Sequence, residues 1–183
     1  MLIEPTALPD VKLITSKRFG DERGWFMETF NARDFAAAGV AFSAVQENQS
    51  FSRKVGTVRG LHFQRTPFVQ AKLVRVLRGS IFDVAIDIRP ASPDFGRWVG
   101  VELSAENGCE LFIPGGFAHE FCTLTTNCEI AYLVDNYYAP DCDGAVLWND
   151  PDIGIAWPEA AGAMLSEKDS RALPLAIAHI DGR

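Results

Sequence analysis

The segment Arg59-Gly60-Leu61-His62-Phe63-Gln64, followed closely by Lys72, holds the residue types that carbon-acid chemistry needs. A histidine on a β-prone segment can accept a proton, and a nearby ammonium can stabilise the negative charge left behind. The chain has only three histidines, His62, His119 and His179, so one set between an arginine and a glutamine is a candidate base. Taken alone it also has a plainer reading, because a strand histidine is more often a hydrogen-bonded structural residue. Strand alternation adds a constraint. Arg59 and His62 fall on opposite faces, and both can line one pocket only if the strand bulges or ends between them.

The elements that must position these groups read as β. Lys72 to Arg89 predicts two strands around Arg78-Gly79-Ser80. In the second, Phe82, Val84, Ile86 and Ile88 alternate with Asp83, Ala85 and Asp87, which predicts a half-buried hairpin. Trp98 to Leu103, Glu110 to Ile113, Phe117 to Leu124 and Glu129 to Val134 are further β-like runs bounded by turn residues. Helix signals are few. Asn31 can cap Ala32 to Ala38 with Gly39 just past the end, and Ser166-Glu167-Lys168-Asp169 reads as a capping box opening a short turn. Regular short strands with few, short helices predict an all-β jelly-roll barrel.

With 183 residues and 48% hydrophobic content the chain can bury a sizeable core. No linker, low-complexity tract or repeat divides it, so residues 1–183 are expected to form one domain. Its 17 basic and 24 acidic residues give a formal charge of -7, which argues against nucleic acid or an anionic membrane as the main partner. Met1-Leu2-Ile3-Glu4-Pro5 has no positive n-region, and no stretch is long and apolar enough to span a bilayer. A soluble cytoplasmic protein is the expectation. Cys109, Cys122, Cys128 and Cys142 form no C-x-x-C pair and read as reduced thiols, not as a disulfide frame or zinc site.

A longer pattern joins these pieces. Arg59 to Gln64, Gln70-Ala71-Lys72-Leu73-Val74-Arg75-Val76, Arg78-Gly79, Phe82-Asp83-Val84, Ser92-Pro93, Ile113-Pro114, Gly116-Phe117-Ala118-His119, Tyr137-Tyr138-Ala139-Pro140 and Trp148-Asn149-Asp150-Pro151 occur in order. Together they closely resemble the dTDP-4-dehydrorhamnose 3,5-epimerase family, from about Ile14 to Leu165-Ser166-Glu167-Lys168-Asp169. The resemblance implies a cupin-like jelly roll with N- and C-terminal extensions, a homodimer, and no metal or other cofactor. It implies epimerisation at C3 and C5 of dTDP-4-dehydro-6-deoxy-D-glucose to dTDP-4-dehydro-L-rhamnose, through an enolate, on the route to dTDP-L-rhamnose. His62 would be the base, Asp169 would orient its ring, Lys72 would donate to the enolate oxygen, and Tyr132 would return a proton on the opposite face.

The resemblance also places Arg23, Glu28, Gln46, Asn48, Arg59, His119 and Lys168 around a dTDP-4-keto-6-deoxyhexose. Tyr138 would stack on thymine, with Asp143 as the acidic residue of the following loop. These types suit a pyrophosphate and a flat nucleobase. Arg23, beside Gly24-Trp25-Phe26, would reach into a neighbouring subunit's pocket. Each residue has a plainer role as well: Asp169 as a capping residue, Lys72 as a strand-edge cation, Tyr132 as core, the other cations as surface charge. Four positions depart from the family pattern: Leu133 for a common Lys, Glu120 for a frequent Gly, Asp143 for a common Glu, and Leu147 for a usual basic residue.

Other functions stay in view. A metal-dependent cupin, such as a non-haem iron oxygenase, would use His62, His119 and Glu120 or another carboxylate, although Leu61-His62-Phe63-Gln64 lacks the H-x-H pair such sites usually carry. A sibling enzyme would invert only C3 or only C5, or shift the ketone, with the same base. A binding module would hold the sugar nucleotide without chemistry.

Overall fold

The computed structural model describes residues 1–158 and 163–181. In chain order the strands are β1 (Leu2–Pro5), β2 (Lys12–Thr15), β3 (Arg18–Asp21), β4 (Gly24–Met27), β5 (Gln46–Ser52), β6 (Val58–Gln64) and β7 (Lys72–Arg78). They continue with β8 (Ser80–Asp87), β9 (Trp98–Ser104), β10 (Cys109–Ile113), β11 (Phe117–Thr123), β12 (Cys128–Val134) and β13 (Asp143–Ala145). Two antiparallel sheets face each other, one ordered β1-β2-β10-β7-β12-β5 and the other β13-β6-β11-β8-β9, with β3 and β4 forming a separate two-stranded hairpin. The architecture is the jelly roll expected from the strand spacing.

The expected hairpin of residues 72–89 is corrected. β7 pairs with β10 and β12, whereas β8 pairs with β11 and β9, so the two strands belong to different sheets. Gly79, at φ +79°, carries the chain across, and a Cβ there would lie 2.5 Å from the Thr125 hydroxyl. Nor is β8 half-buried. Ile81 and Ala85 face a core between the sheets with Val74, Leu111, Ile113 and Ile130. Val84 and Ile86 face outward, where the C-terminal segment covers them with Ile153, Leu175, Ala178 and Ile180. Both faces are therefore closed, and Asp83 and Asp87 are completely buried.

The other expected strands form within a residue or two of their expected ends. One short helix, α1 (Ala32–Ala37), is capped by the Asn31 side chain accepting from the Arg33 amide. It packs Phe35 with Val40, Leu73 and Phe112 on the outer face of the six-stranded sheet. Leu133 joins this cluster, so an apolar residue suits the position. Among the described residues the inter-sheet cluster holds Val74, Ile81, Leu111 and Ile130, while His62, Lys72, His119 and Tyr132 line a cavity.

Candidate active site

β6 solves its facing problem by a register shift. His62 lies opposite His119 on β11, while Arg59 lies opposite Phe121, so three steps along β6 match two along β11. The extra residue falls at Gly60-Leu61 and brings Arg59 and His62 to one cavity. Gly60 has φ +149°, and a Cβ would meet Glu120 Cβ at 2.4 Å and the His119 carbonyl oxygen at 2.7 Å. Only glycine fits this crossing.

The cavity has two adjoining lobes, of about 340 and 440 Å³, which share His62, Lys72, Tyr132 and Lys168. His62 Nε2–H donates to Asp169 Oδ1 at 2.6 Å, leaving Nδ1 as the ring's free acceptor. Burial alone would raise the Asp169 carboxyl. The His62 hydrogen bond and charge, the Ser166 hydrogen bond and the Lys168 charge outweigh it and hold the group below the usual carboxylate range. The capping expectation is met in part, since the Asp169 amide donates to Ser166 Oγ at 3.1 Å while the Asp169 carboxylate turns to His62. A short 3-10 turn, Asp169–Arg171, follows.

Lys72 Nζ lies 3.4 Å from the His62 carbonyl oxygen. Burial brings its ammonium down to about 8, opposed by the charges of Asp83 and then Asp143, with Lys168 adding to the fall. Tyr132 is half-buried, and burial pushes its hydroxyl up against the opposing pull of Arg59, so it remains a protonated donor at neutral pH. An imidazole acceptor, an ammonium and a phenol thus share one chamber. That set can move protons on a polarised carbon acid.

Around these groups, Gln46, Asn48, Tyr138, Asp143 and Lys168 line one lobe, while Arg59, His119, Lys168 and Asp169 line the other. Arg59 donates to Ser52 Oγ and the Phe51 carbonyl oxygen. Lys168 pairs with Asp143, which also accepts from the Tyr138 hydroxyl at 3.4 Å. Two expected residues are not brought to the cavity within this chain. Arg23 sits on the β3–β4 turn, 90% exposed and paired with Asp21, and Glu28 accepts from Asn31 Nδ2. Leu147 lies outside the cavity, its amide donating to the Leu173 carbonyl oxygen.

Two residues were not expected as part of the site. Gln64 donates to the Phe68 and Tyr137 carbonyl oxygens and accepts from the Ala139 amide, which fixes the loop carrying Tyr138. It stands in the His62 motif, where that signal was available. Asp83 Oδ1 accepts from His119 Nε2–H at 2.7 Å, with both side chains buried. Its signal was an acidic residue between two inward-facing apolar residues of one strand. Glu120 lies on the other face of β11 and lines neither lobe, so it does not converge with His62 and His119 as a metal triad would require.

The family model for dTDP-4-dehydrorhamnose 3,5-epimerase matches residues 5–176. The chain belongs to that family. A relative named dTDP-4-dehydrorhamnose 3,5-epimerase from Salmonella typhimurium is 51% identical over 173 residues, covering 94% of each chain. The Legionella pneumophila dTDP-6-deoxy-D-glucose-3,5-epimerase, solved with dTDP-4-keto-L-rhamnose, superposes with a TM-score of 0.92 at 44% identity, covering 96% of this chain and 93% of that one. The Bacillus anthracis dTDP-4-dehydrorhamnose 3,5-epimerase, solved with TDP and pyrophosphate, gives 0.90 at 45% identity, covering 93% and 97%. The fold is the family's cupin-like jelly roll, and the protein is an isomerase of that epimerase family.

Proposed function

We propose that this epimerase inverts C3 and C5 of dTDP-4-dehydro-6-deoxy-D-glucose to give dTDP-4-dehydro-L-rhamnose, in dTDP-L-rhamnose biosynthesis. The observation that carries the reading is the His62–Asp169 pair, 2.6 Å long, beside Lys72 and Tyr132 in one chamber. Both carbons flank the C4 carbonyl, so each hydrogen is acidified. His62 Nδ1 takes the proton, and the C–H electron pair moves into an enolate whose oxygen accepts a hydrogen bond from Lys72. Asp169 steadies the imidazolium so formed. Tyr132 delivers a proton to the opposite face at C5, and a solvent proton reaches the opposite face at C3. Between the two inversions His62 releases its proton to solvent while the Tyr132 phenolate regains one. Stabilisation that grows with the enolate charge counts toward rate as well as binding.

Arg59, His119, Gln46, Asn48 and Lys168 hold the nucleotide and sugar, Tyr138 offers its ring to thymine, and Asp143 sets the place of Lys168 and Tyr138. The protein acts as a homodimer, with Arg23 and Glu28 serving the partner's cavity. Support comes from the β3–β4 hairpin, which leaves Phe19, Trp25 and Phe26 56%, 61% and 69% exposed around Arg23. Such an aromatic set on one projecting element suits a protein partner. The reaction takes place in the cytoplasm, where thiols such as Cys109, Cys128 and Cys142 stay reduced.

The test is incubation of purified protein with the 4-keto sugar nucleotide in deuterated water, followed by NMR of label and configuration. Label and inversion at both carbons are expected. Inversion at a single carbon would replace this reading with a single-position epimerase, and absence of exchange would replace it with a binding module.

A further inference from the structure

We propose that Asp83 is a positioning residue for the reaction: from the inner face of β8, its carboxylate holds the His119 ring and keeps the neighbouring Lys72 ammonium charged where the enolate forms. The inference rests on the epimerase reading of this cavity. Asp83 is completely buried, its Oδ1 takes the His119 hydrogen bond at 2.7 Å, and its Oδ2 is buried with no hydrogen-bond partner. A carboxylate in that setting is costly, and one hydrogen bond from a neutral ring compensates only part of the cost. Lys72 lines the same lobe of the cavity as the His119 that Asp83 holds, so its ammonium is the nearby charge that attracts the buried carboxylate.

The other groups around Lys72 are already engaged. From β6 come Arg59, held by Ser52 and Phe51, and His62, held by Asp169. From β13 comes Asp143, paired with Lys168 of the C-terminal segment, and from β12 the protonated Tyr132. From β11 comes His119, whose burial lowers its basicity and outweighs the pull of Asp83. His119 therefore remains neutral near pH 7 and does not add a second cation beside Lys72. Asp83 is the foremost charge opposing the effect of burial on Lys72. Burial brings Lys72 down to about 8, so this support decides how much of the enzyme carries the ammonium under mildly alkaline conditions.

The test is Asp83→Asn, which keeps the shape and an acceptor for His119 but removes the charge. The Lys72 midpoint, read from lysine side-chain carbon resonances with Lys72→Met to assign the signal, is expected to fall by about one unit. At pH 8 the charged fraction drops from about one half to about one tenth, so turnover falls about five-fold, and the deficit shrinks as pH falls toward 6. An unmoved Lys72 midpoint, or an equal loss at every pH, overturns the proposal. Should the Asn variant fail to fold, Asp83→Ser provides the second measurement: the Lys72 midpoint is again expected to fall, and an unmoved midpoint overturns the proposal. The resonance titrations need no substrate, so a failure of the epimerase reading, seen as no exchange by the unaltered enzyme, is distinguishable from a failure of this one.

Discussion

Replacing Asp169 with Asn tests the proton-abstraction step most directly. Asp169 is 2% exposed and its carboxylate receives the His62 ring at 2.6 Å. Asn preserves the volume and one acceptor oxygen, so the loss falls on charge. The charge matters most when His62 has taken the substrate proton and the pair has become an ion pair. A charge-assisted hydrogen bond of this kind is worth about 1.5–3 kcal/mol, against about 1 kcal/mol for a neutral one. Losing the charged part, about 0.5–2 kcal/mol, slows abstraction by about 2- to 30-fold, at about 1.4 kcal/mol per tenfold. One base serves both carbons, so exchange at C3 and C5 should fall together. The assay is the initial rate of deuterium incorporation at each carbon, with substrate saturation separating kcat from KM. Full-rate exchange at either carbon in a folded variant, or a loss confined to KM, would refute the reasoning. Acid melts provide a control. The folded carboxyl is held below its unfolded value, so Asp169 stabilises the fold above the unfolded value and loses this contribution as pH falls through the folded one. The Asn variant should show a shallower acid decline.

Tyr132→Phe should retain deuterium uptake while inversion at C5 falls at least about ten-fold, because a hydroxyl donor on the far face is removed; normal inversion at both carbons would show that the donor lies elsewhere. Gly60→Ala places a Cβ 2.4 Å from Glu120 Cβ and 2.7 Å from a backbone oxygen at a φ of +149°. It should cost about 3 kcal/mol or more in urea unfolding, and an unchanged unfolding midpoint would contradict the close crossing of β6 and β11. Glu120 is completely buried, both its oxygens are unpartnered, and burial, then the Asp169 charge, pushes its carboxyl up to about 9. A raised carboxyl contributes stability that is fully present below the unfolded value of 4.5 and is lost as pH rises through about 9. Glu120→Gln should therefore gain in melting temperature relative to the natural protein as pH rises from 5 to 9. A gap between the two that stays constant with pH would show that Glu120 is ionised throughout.

Much of the protein is legible in its residues taken in order. Alternation located β8 to β12, and Asn31 and Gly39 bracketed α1, because side-chain period and caps act over a few neighbouring residues. The motif around His62 marked the cavity, since His62, Gln64 and Lys72 all line it. Pairing was not legible in the same way. Strand period assigns two faces to β8 but does not say what covers each; the C-terminal segment closes the outer face and the opposing sheet the inner one, and together they bury Asp83. Adjacency in sequence suggested that β7 pairs with β8, yet both strands find their partners elsewhere because a jelly roll pairs strands distant in the chain. The same holds for the site. Whether Arg59 and His62 face one chamber depended on a register shift against β11, and whether Asp169 caps a turn or holds a ring depended on a partner 107 residues away. Local chemistry determined which groups are present, and long-range burial decided which of them are charged, paired and aimed at the same space.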